Sequence, residues 1–171
     1  MTKLFVGIDP GLDGAIAHVG EDGWGGYDIM PTFTEHVLHN KQKRQYNIPE
    51  FIAILARLQR DYAIPLTMVE RQQAFPQQGG VSNFTIGCSY YMCLTALHSL
   101  NLPFEIVKPK EWQKSINITG KYDKGKVVSY AIKRFPKTLL IPYGKRVPHS
   151  GAADALCIAE YARLKYAGGA R

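Results

Sequence analysis

The run Leu4-Phe5-Val6-Gly7-Ile8 has no polar face, and it ends on a carboxylate, Asp9. A strand that is apolar on both sides must be covered on both, which places residues 3–9 at the centre of a sheet with structure above and below it. A second apolar stretch, Leu66-Thr67-Met68-Val69, also ends on an acid, Glu70. A third acid, Asp154, lies in Gly151-Ala152-Ala153-Asp154-Ala155-Leu156, where a long apolar-periodic helix begins. Acids at the ends of buried elements cost desolvation energy unless something positive compensates them. A hard divalent cation, bound by oxygen ligands from separate elements, is the simplest compensation.

The rest of the pattern fills out a mixed α/β chain. The turn Asp9-Pro10-Gly11-Leu12-Asp13-Gly14 leads into a second strand, Ala15 to Val19, as a tight glycine-containing hairpin does. Asp13 is explained by that turn. A shorter third strand is expected over Gly25–Met30, followed by a polar, basic segment, Asn40 to Gln45. Ile48-Pro49-Glu50 opens a helix whose apolar positions Phe51, Ile52, Leu55 and Leu58 recur at helical spacing. After the Glu70 strand, residues 72–80 read as a loop and Val81–Leu100 as a long helix. Phe104–Val107 is a fifth strand, and helices follow at Lys108–Ile116, Lys124–Phe135 and Ser150–Tyr166. This order permits one sheet with helices on both faces and with its strand ends, hence the acids, converging.

Composition narrows the function. The 171 residues suit one domain, with a frayed tail expected over 166–171. Net charge is +7, which favours an anionic partner. No apolar run reaches the roughly 18 residues of a membrane span, and no signal-peptide pattern opens the chain. Cys88, Cys93 and Cys157 form neither a CxxC nor a Cys/His zinc spacing, so buried thiols in a reducing cytoplasm are expected. His18, His36, His39 and His98 show no ligand spacing. Acids, a basic balance and the α/β order together point to a metal-dependent enzyme acting on a polyanion.

Gly7-Ile8-Asp9-Pro10-Gly11, Val69-Glu70 and Ala152-Ala153-Asp154-Ala155-Leu156 resemble, in order and across the whole chain, the motifs of RuvC-type Holliday junction resolvases. Pro109-Lys110-Glu111-Trp112-Gln113-Lys114 resembles the compact phage and viral branch. The resemblance implies an RNase H-like fold with a mixed five-stranded sheet flanked by helices on both faces. It also implies a homodimer and paired, symmetric nicks across a four-way DNA junction in a bacterial or phage-infected cytoplasm. It makes Asp9, Glu70 and Asp154 ligands of divalent metal, Mg²⁺ or Mn²⁺, two ions per site. The family adds a fourth ligand just ahead of the last Asp; here Ser150 and Gly151 supply no carboxylate, and His149 is the nearest replacement. The alternative for His149 is an ordinary loop residue or helix cap.

Resemblance also places Lys114 and Lys124 near the active-site lysines, with Lys121 and Lys126 as substitutes, and adds Arg71 and Lys110 as DNA contacts. Phe75, just after Glu70, falls where the family carries an aromatic that wedges into the junction; Phe84 is its rival. Stacking of this kind on an unpaired base contributes roughly 1–3 kcal/mol. Residues 81–100 would bury one stripe on the sheet and another, including Tyr90 and Tyr91, on a second subunit. The competing readings are a related nuclease for flaps or RNA and a module that binds branched DNA without cutting it. A sugar kinase with half of this phosphate-loop motif needs a second domain, which 171 residues exclude.

Overall fold

A computed structural model describes residues 1–37 and 41–169. Seven strands and five helices follow in the order β1 (Lys3–Asp9), β2 (Ala15–Gly20), β3 (Gly25–Ile29), β4 (Thr32–Val37), β5 (Lys41–Tyr46), α1 (Ile48–Asp61), β6 (Ala63–Glu70), α2 (Gly80–Ser99), β7 (Phe104–Val107), α3 (Pro109–Ser115), α4 (Lys124–Arg134) and α5 (Ser150–Gly169). The main sheet is five-stranded, in the order β3-β2-β1-β6-β7. β1 pairs antiparallel with β2 and parallel with β6, so it is central, as its all-apolar sequence requires.

Alternation along β1 sorts its side chains into two cores. Leu4, Val6 and Ile8 pack with Phe51, Leu55 and Leu58 of α1 and Cys93, Ala96 and Leu97 of α2. Phe5 points the other way, into a core with Trp112 of α3, Val127 and Ala131 of α4, and the apolar face of α5. Leu66 and Met68 of β6 join that second core. Asp9 and Glu70 continue these alternate positions, so both acids leave the sheet on the face that α5 covers.

Gly7 sets how close α5 can come. A Cβ built there would lie 2.3 Å from the Ala159 nitrogen and 2.4 Å from the Ala155 oxygen. Gly151 makes the matching contact at the helix start, where a Cβ would meet the Asp13 carbonyl oxygen at 2.0 Å. Glycine is the residue that permits backbone to lie on backbone in this way. On the other face, the Ser89 hydroxyl of α2 donates to the Pro10 carbonyl at 2.8 Å and anchors the turn that follows Asp9.

The expectation of buried thiols is corrected at Cys88, and two strands form where the sequence assigned no element: Lys41–Tyr46 pairs antiparallel with Thr32–Val37 as a separate two-stranded sheet. Its residues are exposed on both sides at most positions, so no apolar alternation marks it; His39 and Asn40 fall outside the described residues. The tail expected to fray over 166–171 is helical through Gly169, its last two residues lie outside the described residues, and Tyr166 packs against Phe5 at a centroid distance of 5.3 Å. Cys88 is exposed, whereas Cys93 and Cys157 are buried. Among the described residues no helix is long and apolar enough to cross a membrane.

Candidate active site

The parallel register aligns Ile8 with Val69, so Asp9 and Glu70 occupy the next rung at the carboxyl end of the sheet. Asp154 approaches from the first turn and a half of α5, immediately before Ala155, which lies against Gly7. The three carboxylates feel one another. Burial, then the charges of Glu70 and Asp154, push Asp9 well above the ordinary carboxylate range, with Lys124 opposing. Burial raises Glu70 to about 7 against the hydrogen bonds of Trp112 and Gln72, with Asp154 adding to the rise. Burial likewise raises Asp154 to about 6, opposed by Tyr122 and Lys124.

Each outer carboxylate is held by a neutral donor. The indole N–H of Trp112, a residue only 1% exposed, donates to Glu70 Oε1 at 2.9 Å, and Gln72 Nε2 donates to Oε2 at 3.2 Å. The Tyr122 hydroxyl lies 2.9 and 2.7 Å from the two oxygens of Asp154. Burial and the three acids push that phenol's pKa upward, so it stays a donor.

The contrast with Glu160 shows what is unusual. Its side chain is 3% exposed, yet Arg134 and Arg163 lie 2.9 and 2.8 Å away and hold its pKa below the usual value despite burial. Asp9, Glu70 and Asp154 have no such ion pair among the described residues. Their chemistry suits a hard divalent cation: oxygen donors, mutual repulsion and uncompensated charge. Among the described residues no three acid, His or Cys side chains are already drawn into a cation cage. Glu70 and Asp154 rest instead on Trp112 and Tyr122.

His149 has a different setting. Its Nδ1 accepts the Ala152 N–H at 3.1 Å while its carbonyl accepts from Ala153, making it the N-cap of α5. A neutral imidazole that accepts at Nδ1 carries its proton on Nε2, so neither nitrogen offers a lone pair to a metal. Burial lowers its pKa, and the charges acting on it are Asp13 and Arg44 rather than the three acids. The cap reading of the sequence describes this geometry; ligation would require Nδ1 to release the helix.

Of the lysines, Lys124 is the one whose charge acts on Asp9 and Asp154. It is the first residue of α4, whose N-terminus is capped by Asp123 through the Gly125 and Lys126 amides. Lys114 lies in the last turn of α3 and Lys121 in the following loop, both exposed, while Lys126 lines a separate cleft with Tyr130 and Lys133. Arg71, Phe75 and Lys110 share a cleft of about 380 Å³ with Glu70. Phe75 is 48% exposed, so it is not core, and Asn83 fixes its backbone by bonds to its N–H and carbonyl at 3.3 and 3.2 Å. Phe84 is 73% exposed on α2.

Sequence reasoning missed Tyr122, Gln72, and the role of Trp112 within a motif it had singled out. An aromatic between two lysines in Lys121-Tyr122-Asp123-Lys124 was the available signal for the first. It also missed Arg44, which reaches from β5 to Asp13 at 2.7 Å and to the Leu12 carbonyl, tying the small sheet to the turn after Asp9.

No protein-family model matches the chain, and no curated protein matches it. Solved structures do. RuvC of Thermus thermophilus is 20% identical, with a TM-score of 0.56 over 98% of this chain and 97% of the other. T. thermophilus RuvC in complex with Holliday junction substrate is 17% identical, with a TM-score of 0.60 over 97% and 96%.

Proposed function

The fold is that of RuvC, the RNase H-like architecture, and we propose that this chain is a metal-dependent endonuclease that resolves four-way DNA junctions by paired nicks. The observation that carries the reading is the trio Asp9, Glu70 and Asp154. They are half-buried, lack an ion pair among the described residues, and are gathered at one end of a sheet whose fold is shared with a protein solved on junction DNA.

Asp9, Glu70 and Asp154 would hold Mg²⁺ or Mn²⁺, two ions by the resemblance. Such a cation would lower the pKa of bound water, favouring its attack, and would offset the negative charge that builds on the phosphate in the transition state. The protein's own groups do the rest. Trp112 and Tyr122 orient Glu70 and Asp154, and Lys124 adds positive charge beside Asp9. Arg71 and Lys110 line the cleft at Glu70, where phosphates can be held, and Phe75 presents a ring to an unpaired base. A cytoplasmic setting goes with this reading.

A symmetric junction calls for two matched sites, and α2 carries a surface for a second copy. Val81, Phe84, Cys88, Tyr91 and Thr95 are exposed at alternating spacings of three and four, a seam that an isologous partner can cover. Tyr91 is 67% exposed, whereas Tyr90 packs partly against the core.

The test uses immobile four-way junction, flap, duplex and RNA–DNA hybrid with Mg²⁺, Mn²⁺ or EDTA. Wild type should nick the junction symmetrically, and Asp9→Asn, Glu70→Gln and Asp154→Asn should bind it without cutting. Tyr91→Glu should sediment as a monomer and lose paired nicking. Near-normal cleavage by any amide variant removes that residue from the site, and preference for flap or hybrid replaces the substrate.

A further inference from the structure

Between Asp123 and Asp154 the sequence has no acid, and its most exposed aromatic lies at a loop tip in that stretch. The loop runs from Leu140 to His149. It is closed at its base by the His149 N–H donating to the Leu140 carbonyl at 2.7 Å, so it ends where the helix carrying Asp154 begins. Its other root is fastened to β3: Thr138 Oγ1 donates to the Gly25 carbonyl and Tyr27 OH to the Leu139 carbonyl, both at 2.7 Å. Leu140 is buried beneath. The tip is a tight turn, with the Lys145 N–H on the Pro142 carbonyl at 3.0 Å and Gly144 at φ 74°. That turn holds Tyr143 fully exposed, with Lys145 and Arg146 beside it.

We propose that this loop is a second aromatic contact to branched DNA, with Tyr143 stacking on an unpaired base while Lys145 and Arg146 take the flanking phosphates. The proposal rests on the nuclease reading above. A ring with no protein partner costs apolar exposure, and here it stands on an anchored stalk whose own sequence carries cations and no acid, next to the helix that supplies Asp154. Nucleic acid matches both halves of that surface, since phosphate meets the cations and a base face meets the phenol ring. Anchoring at both roots lowers the ordering cost of such a contact.

The experiment measures binding of the full chain to a junction with 2-aminopurine at its centre and to a plain duplex, over a salt series. Tyr143→Ala should bind the junction about 10-fold more weakly and lose quenching of the probe, with duplex affinity and melting temperature unchanged. Tyr143→Phe should restore both, because the ring and not the hydroxyl makes the stack. The double variant Lys145→Ala/Arg146→Ala should weaken junction and duplex alike and lower the salt slope by about 2. A Tyr143→Ala protein that binds and quenches like wild type overturns the proposal, as does an equal loss on duplex or a changed sedimentation coefficient. Wild type that ignores the junction altogether refutes the nuclease reading, and this contact with it; that outcome is distinct because it appears without any substitution.

Discussion

The hydroxyl of Tyr122 reaches both carboxylate oxygens of Asp154, at 2.9 and 2.7 Å, from a loop that ends two residues later at the start of α4. A donor beyond the ligand sphere fixes a carboxylate's rotamer, and removing such a partner typically costs 10- to 100-fold in metal affinity. Tyr122→Phe should therefore bind Mn²⁺ roughly 10- to 100-fold more weakly by electron paramagnetic resonance titration. Its melting temperature and junction affinity should change little. Unchanged Mn²⁺ affinity would make the bond incidental.

The raised acids also make stability depend on pH. Glu70 moves from 4.5 to about 7 and Asp154 from 3.8 to about 6, so between those limits the folded chain binds more protons than the unfolded one. Stability of the metal-free protein should then be greatest near pH 4 as far as these groups are concerned and fall as pH rises to about 7. Glu160 has the opposite sign: its lowered pKa adds stability above its ordinary 4.5 that is lost as pH falls. Thermal melts in EDTA should show the loss toward neutrality, and Mg²⁺ should reverse it at pH 7.5. Asp9→Asn should melt higher than wild type in EDTA at that pH. A flat profile from pH 4.5 to 7.5 would contradict the electrostatic picture.

His149 separates capping from ligation. Loss of an N-cap side chain costs about 1 kcal/mol, so His149→Ala should melt lower while its Mg²⁺ requirement for cleavage stays at the wild-type value. His149→Asn, which can still cap, should recover the melting temperature. A steep rise in the Mg²⁺ requirement of both variants would restore the imidazole as a ligand.

Gly7→Ala should be among the most damaging single-methyl additions in the chain. The new carbon would meet backbone of Ala155 and Ala159, which cannot turn aside, and overpacking of this kind costs about 1–3 kcal/mol. Relief requires α5 to lift from β1 and carry Asp154 away from Asp9, so cleavage should fall further than the melting temperature alone explains. Gly79→Ala, with open space around it, is the control.

The framework was legible because the strongest constraints are local. An unbroken apolar strand, Leu4 to Ile8, can sit only at the centre, and an acid at the end of each apolar run marks the strand ends that converge; that Asp9 and Glu70 share a face needed the register of β1 on β6. The small sheet was illegible for the converse reason: with most side chains wet on both sides, Thr32–Val37 and Lys41–Tyr46 show no pattern that burial would impose. Tyr122 and Trp112 lie 32 and 42 residues from the acids they hold, so no spacing rule reaches them. Cys88 looked like core because α2 is apolar around much of its girth. The seam formed by Val81, Phe84, Cys88 and Tyr91 faces outward all the same.

The seating of α5 on Gly7 joins the first strand to a helix that follows nearly all the other elements. A ribosome making this chain releases Asp9 and Glu70 long before Asp154 emerges. Until α5 docks, the long-range closure is unmade and the two early acids have no third companion. On the nuclease reading proposed above, the timing of synthesis would keep an unfinished chain from cutting DNA, and fragments that stop short of α5 should be as inert as they are unstable.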